Sequence, residues 1–183
     1  MDYKLARMNM VENQIRANRV TDDKVIEAFK KVPRENFVPF SLKEISYNDE
    51  DIHLVKNRYM MKPMVLARSF QFLSLKGNEN ILHIGSNTGY ASAILSRLCS
   101  AVISIESDKK LYEKSISNLS ELSFDNVVPL HGPMENGVPK ESPFDVIFIE
   151  GSIEEKPNNL FNQLNENGKL IVTLRPYGMA IGK

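Results

Sequence analysis

One stretch constrains the fold more than any other: a short apolar run that leads directly into a polar turn bracketed by two glycines. The run is Ile81-Leu82-His83-Ile84, the turn extends from Gly85 to Gly89, and Tyr90-Ala91-Ser92-Ala93-Ile94-Leu95 follows it. This pattern predicts a buried strand that feeds a helix. A helix N-terminus presents unpaired N–H groups, and glycine lets a ligand touch the main chain. The junction therefore indicates a nucleotide-type binding site.

A second apolar strand ends on an acidic residue at a spacing that suits ribose recognition. The run from Ala101 to Ile105 precedes Glu106, which lies 21 positions beyond Gly85 (106 − 85). In dinucleotide-binding units an acidic residue about 20 residues past the glycine turn accepts hydrogen bonds from the ribose hydroxyls. The glycine pattern is shorter than the full fingerprint, so an ordinary strand–helix–strand unit with a solvated Glu106 is the alternative.

Strand and helix patterns alternate through the rest of the chain. Apolar runs typical of buried strands occupy 126–130, 144–150 and 169–174, and helical spacing occurs over 112–119 and in a short helix around Leu160 and Leu164. This alternation predicts an α/β fold with a parallel sheet covered on both faces. We expect one domain over residues 1–183, with a helical N-terminal subdomain and substrate loop over 1–62 and an α/β core over 63–183.

The N-terminal third predicts helices followed by a long connection. Residues 3–18 have apolar side chains at helical spacing, and Thr21 is the expected cap of a second helix. Residues 44–62 show no clear periodicity and indicate a connection of the kind that often carries function. Pro63 suits the first turn of a third helix that ends before Gly77.

Composition and charge disfavour several function classes. Lys+Arg and Asp+Glu both total 23, so no net charge draws the protein to nucleic acid or to an anionic membrane. No stretch approaches the roughly 18 uninterrupted apolar residues of a membrane helix. The lone Cys99 cannot form an internal disulfide, and His53, His83 and His131 lack metal-ligand spacing. We expect a cytoplasmic protein without nucleic-acid, membrane or metal partners.

A set of short motifs runs along nearly the whole chain. In order they are Val11-Glu12-Asn13-Gln14-Ile15-Arg16, Val20-Thr21-Asp22, Val32-Pro33-Arg34-Glu35-Asn36-Phe37-Val38-Pro39, Ile84-Gly85, Gly89-Tyr90, Glu106, Asn126-Val127, His131-Gly132, Phe144-Asp145, Leu164 and Gly168. Together they resemble the protein-L-isoaspartate O-methyltransferase family. The resemblance implies a Rossmann-like sheet of the S-adenosylmethionine (SAM)-dependent methyltransferase type, with SAM as cofactor. It also implies methylation of a protein or peptide carboxylate, that of isoaspartyl residues in damaged proteins.

The resemblance also assigns the cofactor positions and shows where this chain departs from the family. The implied SAM-binding residues are His83, Gly85, Ser86, Asn87, Gly89, Glu106, Gly132 and Pro133. His83 and Pro133 stand where the family has acidic residues, and Asn87 stands where it has a glycine. A neutral imidazole cannot replace a carboxylate that faces an ammonium group, and proline offers neither a side-chain acceptor nor a backbone donor. We therefore expect weaker SAM binding than in intact relatives.

The largest departure lies in the family's substrate segment. Where the family has Thr-Ile-Ser-Gln-Pro, this chain has Tyr59-Met60-Met61-Lys62-Pro63. The longer run from Arg58 to Pro63 is similar to an alphaproteobacterial branch of the family. The implied catalytic positions are Tyr59, Met61 and Lys62, but their residue types are not kept. Both hydroxyls are lost, although the Tyr59 phenol could act from another direction. Because an ionised carboxylate needs positioning rather than a base, we expect altered or reduced activity.

Three functions from different classes remain open. The first is a methyltransferase of this family, the second a non-catalytic SAM- or nucleoside-binding module derived from it, and the third a nicotinamide-dependent oxidoreductase. The third is the weakest, because the helical N-terminal subdomain and the motifs have no counterpart there. Glu150, Glu154 and Glu155 follow the fourth strand on the ligand side of the sheet, and we expect them to be solvated.

The resemblance finally implies a shortened C-terminal end. The family usually adds two strands after the fifth, whereas nine residues follow Leu174 here. The edge formed by Leu170, Ile171 and Val172 would then be open, and an open apolar edge invites pairing with another chain. We expect self-association through this fifth-strand edge unless residues 175–183 fold back as a partial strand.

Overall fold

The computed structural model describes residues 1–176 and the backbone of residues 181–182. The helices are α1 (Tyr3–Met10), α2 (Asp23–Lys31), α3 (Pro63–Leu73), α4 (Tyr90–Leu95), α5 (Lys109–Glu121) and α6 (Asn158–Phe161). The strands are β1 (Ile52–Val55), β2 (Arg58–Met60), β3 (Asn80–Ile84), β4 (Ala101–Glu106), β5 (Val127–His131), β6 (Phe144–Ile153), β7 (Leu164–Leu174) and β8 (Ile181–Gly182). Short π-helical and 3₁₀-helical turns connect several of them.

The main sheet has the order β5-β4-β3-β6-β7-β8, and every pair except β7–β8 is parallel. From β3 the chain first adds β4 and β5 on one side of the sheet and then returns to add β6 and β7 on the other, so the strand order reverses at β3. Ile84 at the end of β3 is level with Ile105 of β4 and Ile149 of β6. In an open α/β sheet the crevice at such a reversal, beyond the carboxyl ends of the strands, is where ligands bind. The predicted Rossmann-like parallel sheet is confirmed.

Both faces of the sheet are covered because its central strands are apolar throughout. Alternate residues of β3 point to opposite faces, so Ile81 and Leu82 belong to two separate buried clusters. The cluster around Ile81 includes Phe29 of α2 and Phe70 of α3, whose ring packs edge-on against Phe148 at 5.3 Å. The N-terminal helices therefore share a core with the sheet.

The N-terminal helices differ from the sequence prediction in their details. The expected helix over 3–18 is α1 followed by a π-helical turn, Val11–Ile15, and a 3₁₀ turn. Asp22 caps α2, since its carboxylate accepts from Lys24 N at 2.8 Å and Val25 N at 3.2 Å. The prediction of Thr21 as the cap is wrong, because the helix begins at Asp23 and the residue before it, Asp22, supplies the side-chain acceptor. Pro63 begins α3, as expected.

The connection over 44–62 contains an antiparallel hairpin that the sequence analysis did not predict. Strand β1 pairs with β2 so that Ile52 is opposite Met60 and His53 is opposite Tyr59. The turn between them has Lys56 in a left-handed conformation, with φ +44°. Met60 is buried and Tyr59 faces outward, so the hairpin is held to the core by one face.

The outer edge of β7 is covered only in part. Ile181 and Gly182 pair antiparallel with Leu174 and Thr173, so the predicted fold-back is present at the end of the strand. Residues 177–180 and 183, which belong to the same prediction, lie outside the described residues. Leu164, expected on the short helix with Leu160, begins β7 instead. Self-association through the remaining edge stays a prediction.

Every helix in the part of the chain that the structure describes is too short or too polar to cross a membrane.

Stability should fall at alkaline pH because the buried Cys99 thiol resists ionisation. Burial raises the pKa of Cys99 to about 12, whereas an unfolded cysteine titrates near pH ~8.5. The folded chain therefore keeps its proton, so this contribution to stability is complete below pH ~8.5 and is lost as pH rises towards 12. Urea unfolding from pH 8 to 11 should show a loss of up to about 1.4 kcal/mol per pH unit that Cys99→Ala removes.

Burial also raises the pKa of Tyr90 to about 12, and it does so in the unmodified protein and in Cys99→Ala alike. The difference between their free energies of unfolding at each pH therefore reports the Cys99 thiol alone. Parallel stability curves for the two proteins would contradict the assignment.

Candidate functional site

Three chain segments meet at the carboxyl ends of β3, β4 and β6. The turn after β3 has left-handed conformations at Gly85 (φ +81°), Asn87 (φ +52°) and Gly89 (φ +95°). Asparagine tolerates this region better than most residues, so Asn87 takes up the backbone shape that a glycine would give. Gly85 N and Ser86 N both donate to Ile105 O, at 2.9 and 3.3 Å. The turn is thereby fixed against the end of β4.

The two glycines of the turn have different neighbours. A Cβ on Gly85 would lie 3.0 Å from Glu150 O and 3.1 Å from Arg58 Nη2, so a side chain at this position would collide with both. A Cβ on Gly89 would lie 3.2 Å from the Leu119 side chain of α5. Gly85 therefore borders the crevice, while Gly89 allows the turn to pack against α5.

Glu106 at the end of β4 has no solvent exposure, yet all of its acceptor positions are used. Its Oε1 accepts from Ser107 N at 2.9 Å and Asp108 N at 3.0 Å, and its Oε2 accepts from Asn87 N at 2.8 Å. Arg58 of β2 donates a fourth bond from Nη2 to Oε2 at 2.5 Å. The alternative of a solvated Glu106 is wrong, because four donors replace water around the carboxylate.

Arg58 is a site residue that the sequence analysis did not single out. Its side chain is 19% exposed and reaches from the hairpin across the crevice to Glu106. Its Nε is buried and has no hydrogen-bond partner. Its place at the start of the run from Arg58 to Pro63 gave it no role of its own, because a single sequence does not show a contact with Glu106.

Glu150 at the end of β6 turns inward towards His83. Both side chains are buried, and His83 Nε2 lies 3.3 Å from Glu150 Oε2 without an aligned hydrogen bond. His83 Nδ1 lies 2.7 Å from Ser92 Oγ, and the ring stacks on Phe148 at 5.1 Å. A carboxylate is therefore present beside position 83, but it comes from the neighbouring strand.

The expectation that Glu150 is solvated is wrong, whereas Glu154 and Glu155 are exposed as expected. The pairing of β6 with β7 is irregular between Phe148 and Ser152, and Gly151 within that interval has φ +112°. Val146 and Phe148 belong to the cluster around Ile81, so strand alternation places Glu150 on that same face, beside His83. The sequence does not show that this face is covered at the level of Glu150, where Met61 N donates to its carboxylate.

The predicted substrate segment is held by its backbone. Tyr59 O accepts from Asn87 Nδ2 at 3.1 Å, and Lys62 N donates to Asp51 Oδ1 at 2.8 Å. Met61 N donates to Glu150 Oε1 at 3.2 Å, and Met61 O accepts from Arg34 Nη2 at 2.9 Å. The segment is therefore fixed to the glycine turn, to β6 and to the N-terminal region.

Arg34 is a second residue whose role the sequence analysis missed. It is fully buried, its guanidinium lies 4.7 Å from the Tyr90 ring centroid, and its Nε donates to Ser46 O at 2.7 Å. Burial lowers the pKa of this guanidinium, and the adjacent Tyr90 ring opposes that shift. Arg34 thus ties the substrate segment, through Met61, to the start of α4.

Two cavities flank Arg58 and Glu150, which line both of them. The first, of about 360 Å³, is mainly apolar. Its apolar lining residues are Ile84, Met134, Ile149, Ile153, Pro157 and Leu160. The second, of about 590 Å³, is a polar cleft. It is lined by Asp51, Asn57, Tyr59, Met61, Gly151, Ser152, Thr173 and Arg175.

The remaining predicted cofactor residues contribute little surface to these cavities. Gly132 N donates to Glu106 O at 3.1 Å, while Pro133 is exposed and borders neither cavity. Ser86 is buried within the turn. Within residues 1–176, no three or more His, Cys, Asp or Glu side chains converge in a way that could hold a metal ion.

Comparison with known proteins agrees with this geometry. The family model described as Protein-L-isoaspartate(D-aspartate) O-methyltransferase (PCMT) matches residues 6–179. Protein-L-isoaspartate O-methyltransferase 2 of Anaeromyxobacter sp. (strain Fw109-5) is 37% identical over 172 residues, which make up 94% of this chain and 71% of that protein.

Two solved structures are also similar. One, named protein-L-isoaspartate O-methyltransferase, has a TM-score of 0.80 at 30% identity, and the match covers 92% of this chain but only 55% of that one. A Plasmodium falciparum protein in complex with S-adenosyl-L-homocysteine has a TM-score of 0.83 at 24% identity, over 96% of this chain and 87% of its own. The second likeness shows a shared fold.

Replacing Gly85 by alanine should destabilise the protein more than the same change at Gly77. Both glycines have positive φ, but a Cβ on Gly77 meets nothing within 4 Å, whereas one on Gly85 meets Glu150 O at 3.0 Å. Gly77→Ala therefore measures backbone strain alone, about 1–2 kcal/mol. Gly85→Ala should lose about 1–3 kcal/mol more, the usual range for overpacking. Urea unfolding of the two variants provides the comparison, and equal losses would show that the turn has room for a side chain.

Proposed function

Because this chain belongs to the protein-L-isoaspartate(D-aspartate) O-methyltransferase family, we propose that it is a SAM-dependent methyltransferase that acts on a carboxylate of a protein or peptide. The observation that carries the proposal is the position of the Glu106 carboxylate beside the Gly85 turn, at the point where the strand order reverses. A buried carboxylate next to a glycine backbone at this crevice suits a ribose better than it suits a purely structural role.

The residues at this edge fit SAM in three respects. Glu106 is proposed to accept the ribose hydroxyls, and the apolar cavity next to Ile84 and Met134 to take the adenine. Glu150 is proposed to face the ammonium group of SAM, because its carboxylate supplies the negative charge that His83 lacks. When bound, SAM supplies a methyl group on a positively charged sulfur. The chain's own residues orient the two reactants and exclude water.

The polar cleft is the proposed place of the methyl acceptor. An aspartyl-type carboxylate is ionised above pH ~4, so no residue has to remove a proton. The hydroxyls of Tyr59, Ser152 and Thr173 line the cleft, whereas Met61 offers only a thioether. The Tyr59 ring lies 5.0 Å from the His53 ring, tilted by 51°, and is half-exposed, so its phenol is held away from the core. These features support altered or reduced turnover of isoaspartyl substrates.

A non-catalytic nucleoside-binding module is the second candidate. The observation that favours it is the full set of donors around Glu106, which leaves no acceptor free until Arg58 moves. A cytoplasmic location and self-association through the β7 edge also belong to the proposal. They rest respectively on the lone free Cys99 and on Leu170 to Val172 of β7.

SAM and S-adenosylhomocysteine should bind at this edge with an affinity that depends on Glu106. Losing a charge-assisted hydrogen bond costs about 1.5–3 kcal/mol, so Glu106→Gln should weaken binding by roughly 10- to 100-fold. Isothermal titration calorimetry measures the constants, and circular dichroism confirms that the variant is folded. The absence of heat at millimolar S-adenosylhomocysteine for both the unmodified protein and Arg58→Gln would contradict the proposed site.

Methyl transfer to an isoaspartyl peptide should be slow, and restoring the two family hydroxyls should increase it. Misplacing a reacting group by 1 Å can cost about 100-fold in rate. Tyr59→Thr together with Met61→Ser should raise the rate more than either change alone, because neighbouring groups in one site are not additive. The assay uses labelled SAM with the aspartyl form of the peptide as control. Fast, selective turnover by the unmodified protein would disprove reduced activity, and S-adenosylhomocysteine binding without any methyl transfer would favour the non-catalytic module.

A further inference from the structure

The Arg58 guanidinium occupies the space in front of the glycine turn. A Cβ on Gly85 would lie 3.1 Å from Arg58 Nη2 and 3.4 Å from Nη1, so the guanidinium fills the opening that the missing side chain leaves. The same group bonds Glu106 Oε2. A nucleoside that touches the Gly85 backbone and the Glu106 carboxylate needs this volume. Arg58 and the ribose therefore exclude each other.

Of the four bonds to Glu106, only the one from Arg58 can be given up without unfolding local structure. The donors Asn87 N, Ser107 N and Asp108 N are backbone groups, fixed by the glycine turn and by the segment that leads into α5. Arg58 reaches Glu106 with a flexible side chain from a short, partly exposed hairpin. A ribose hydroxyl gains access to Glu106 by replacing this one donor.

The displaced guanidinium has a second place to go. Arg58 lines both the apolar cavity and the polar cleft, so rotation about its side-chain bonds moves it from one to the other. Its Nε is buried without a partner, which leaves a donor available for a new contact. A guanidinium binds a carboxylate through two parallel bonds, a geometry that matches the proposed acceptor.

We propose that Arg58 couples the two sites: it occupies the ribose position when no nucleoside is bound, and once the ribose displaces it, it binds the substrate carboxylate in the polar cleft. This inference rests on the proposed function, because it takes Glu106 as the ribose-binding group. Nucleoside binding then strengthens carboxylate binding, and by linkage the carboxylate strengthens nucleoside binding by the same factor. The closed Arg58–Glu106 pair also lowers the apparent affinity for the nucleoside, since only the open fraction is competent.

The first experiment measures S-adenosylhomocysteine binding to Arg58→Gln by calorimetry. Removing the competitor should tighten binding by up to about fivefold, given the usual strength of a partly exposed ion pair. The ligand-free variant should melt at a lower temperature than the unmodified protein, because Glu106 loses a partner, so affinity and stability move in opposite directions. Arg68→Gln on the exposed face of α3 makes the same charge change without contact to Glu106 and should leave the affinity unaltered. An affinity of Arg58→Gln equal to or weaker than that of the unmodified protein overturns the inference.

The second experiment measures coupling. A fluorescent isoaspartyl peptide should bind the unmodified protein about fivefold more tightly when S-adenosylhomocysteine is saturating. Arg58→Gln should abolish that difference, and Arg58→Lys should keep part of it, since an ammonium group retains the charge without the paired donors. A peptide in which the free α-carboxylate of the isoaspartyl residue is converted to a carboxamide should show no coupling. Equal coupling in the unmodified protein and Arg58→Gln overturns the inference.

The outcomes separate the two proposals. S-adenosylhomocysteine binding that is indifferent to Arg58 leaves the proposed function standing and removes the coupling role. A failure of both the unmodified protein and Arg58→Gln to bind S-adenosylhomocysteine removes the proposed function and the coupling role together. Binding that appears only in Arg58→Gln supports the competition directly.

Discussion

The burial of one carboxylate, Glu106, organises the whole carboxyl edge of the sheet. An isolated ionised group in the protein interior is strongly unfavourable, so it needs a complete set of donors. Here the donors come from three separate parts of the chain: the turn after β3, the segment before α5, and the β1–β2 hairpin. The requirement to satisfy one side chain therefore positions a turn, a helix and a hairpin relative to each other. Because so many donors converge on one position, only an acidic side chain at the end of β4 satisfies them.

Regular elements could be predicted where the signal was long and local. The five parallel strands follow from apolar runs with turn residues between them, and α3 follows from Pro63 and the helical spacing after it. The β1–β2 hairpin could not be predicted, because strands of four and three residues are too short to show a periodicity among charged neighbours. The cap of α2 was misplaced by one residue, because Thr21 and Asp22 are neighbours of types that both cap helices well, and the sequence does not distinguish them.

The parts of the candidate site that are close together in sequence could be predicted, whereas the side chains that reach it from distant segments could not. The glycine turn and Glu106 are local features of a strand–turn–helix–strand unit. Arg58 and Arg34 act through contacts 48 and 27 positions away in sequence, which a single sequence does not reveal. Glu150 was misjudged because the groups that bury it, His83 and the backbone of Met61, come from distant parts of the chain. His83 and Glu150 are best explained as a pair. The negative charge that β3 lacks at His83 is provided by Glu150 of the adjacent strand β6, at nearly the same level of the sheet.

The sheet topology also sets the order in which the chain can fold while it is being made. Strand β3 finds its first neighbour, β4, after a short helix, but its other neighbour, β6, pairs Ile149 with Ile84, 65 positions later (149 − 84). At translation rates of about 5–20 residues per second, that edge of β3 waits roughly 3–13 seconds for its partner. An unpaired apolar strand edge is prone to associate with other chains during that interval. Strand β3, which is central in the mature sheet, is thus an exposed edge strand in the nascent chain. The chain is most prone to associate with other chains before β6 is synthesised.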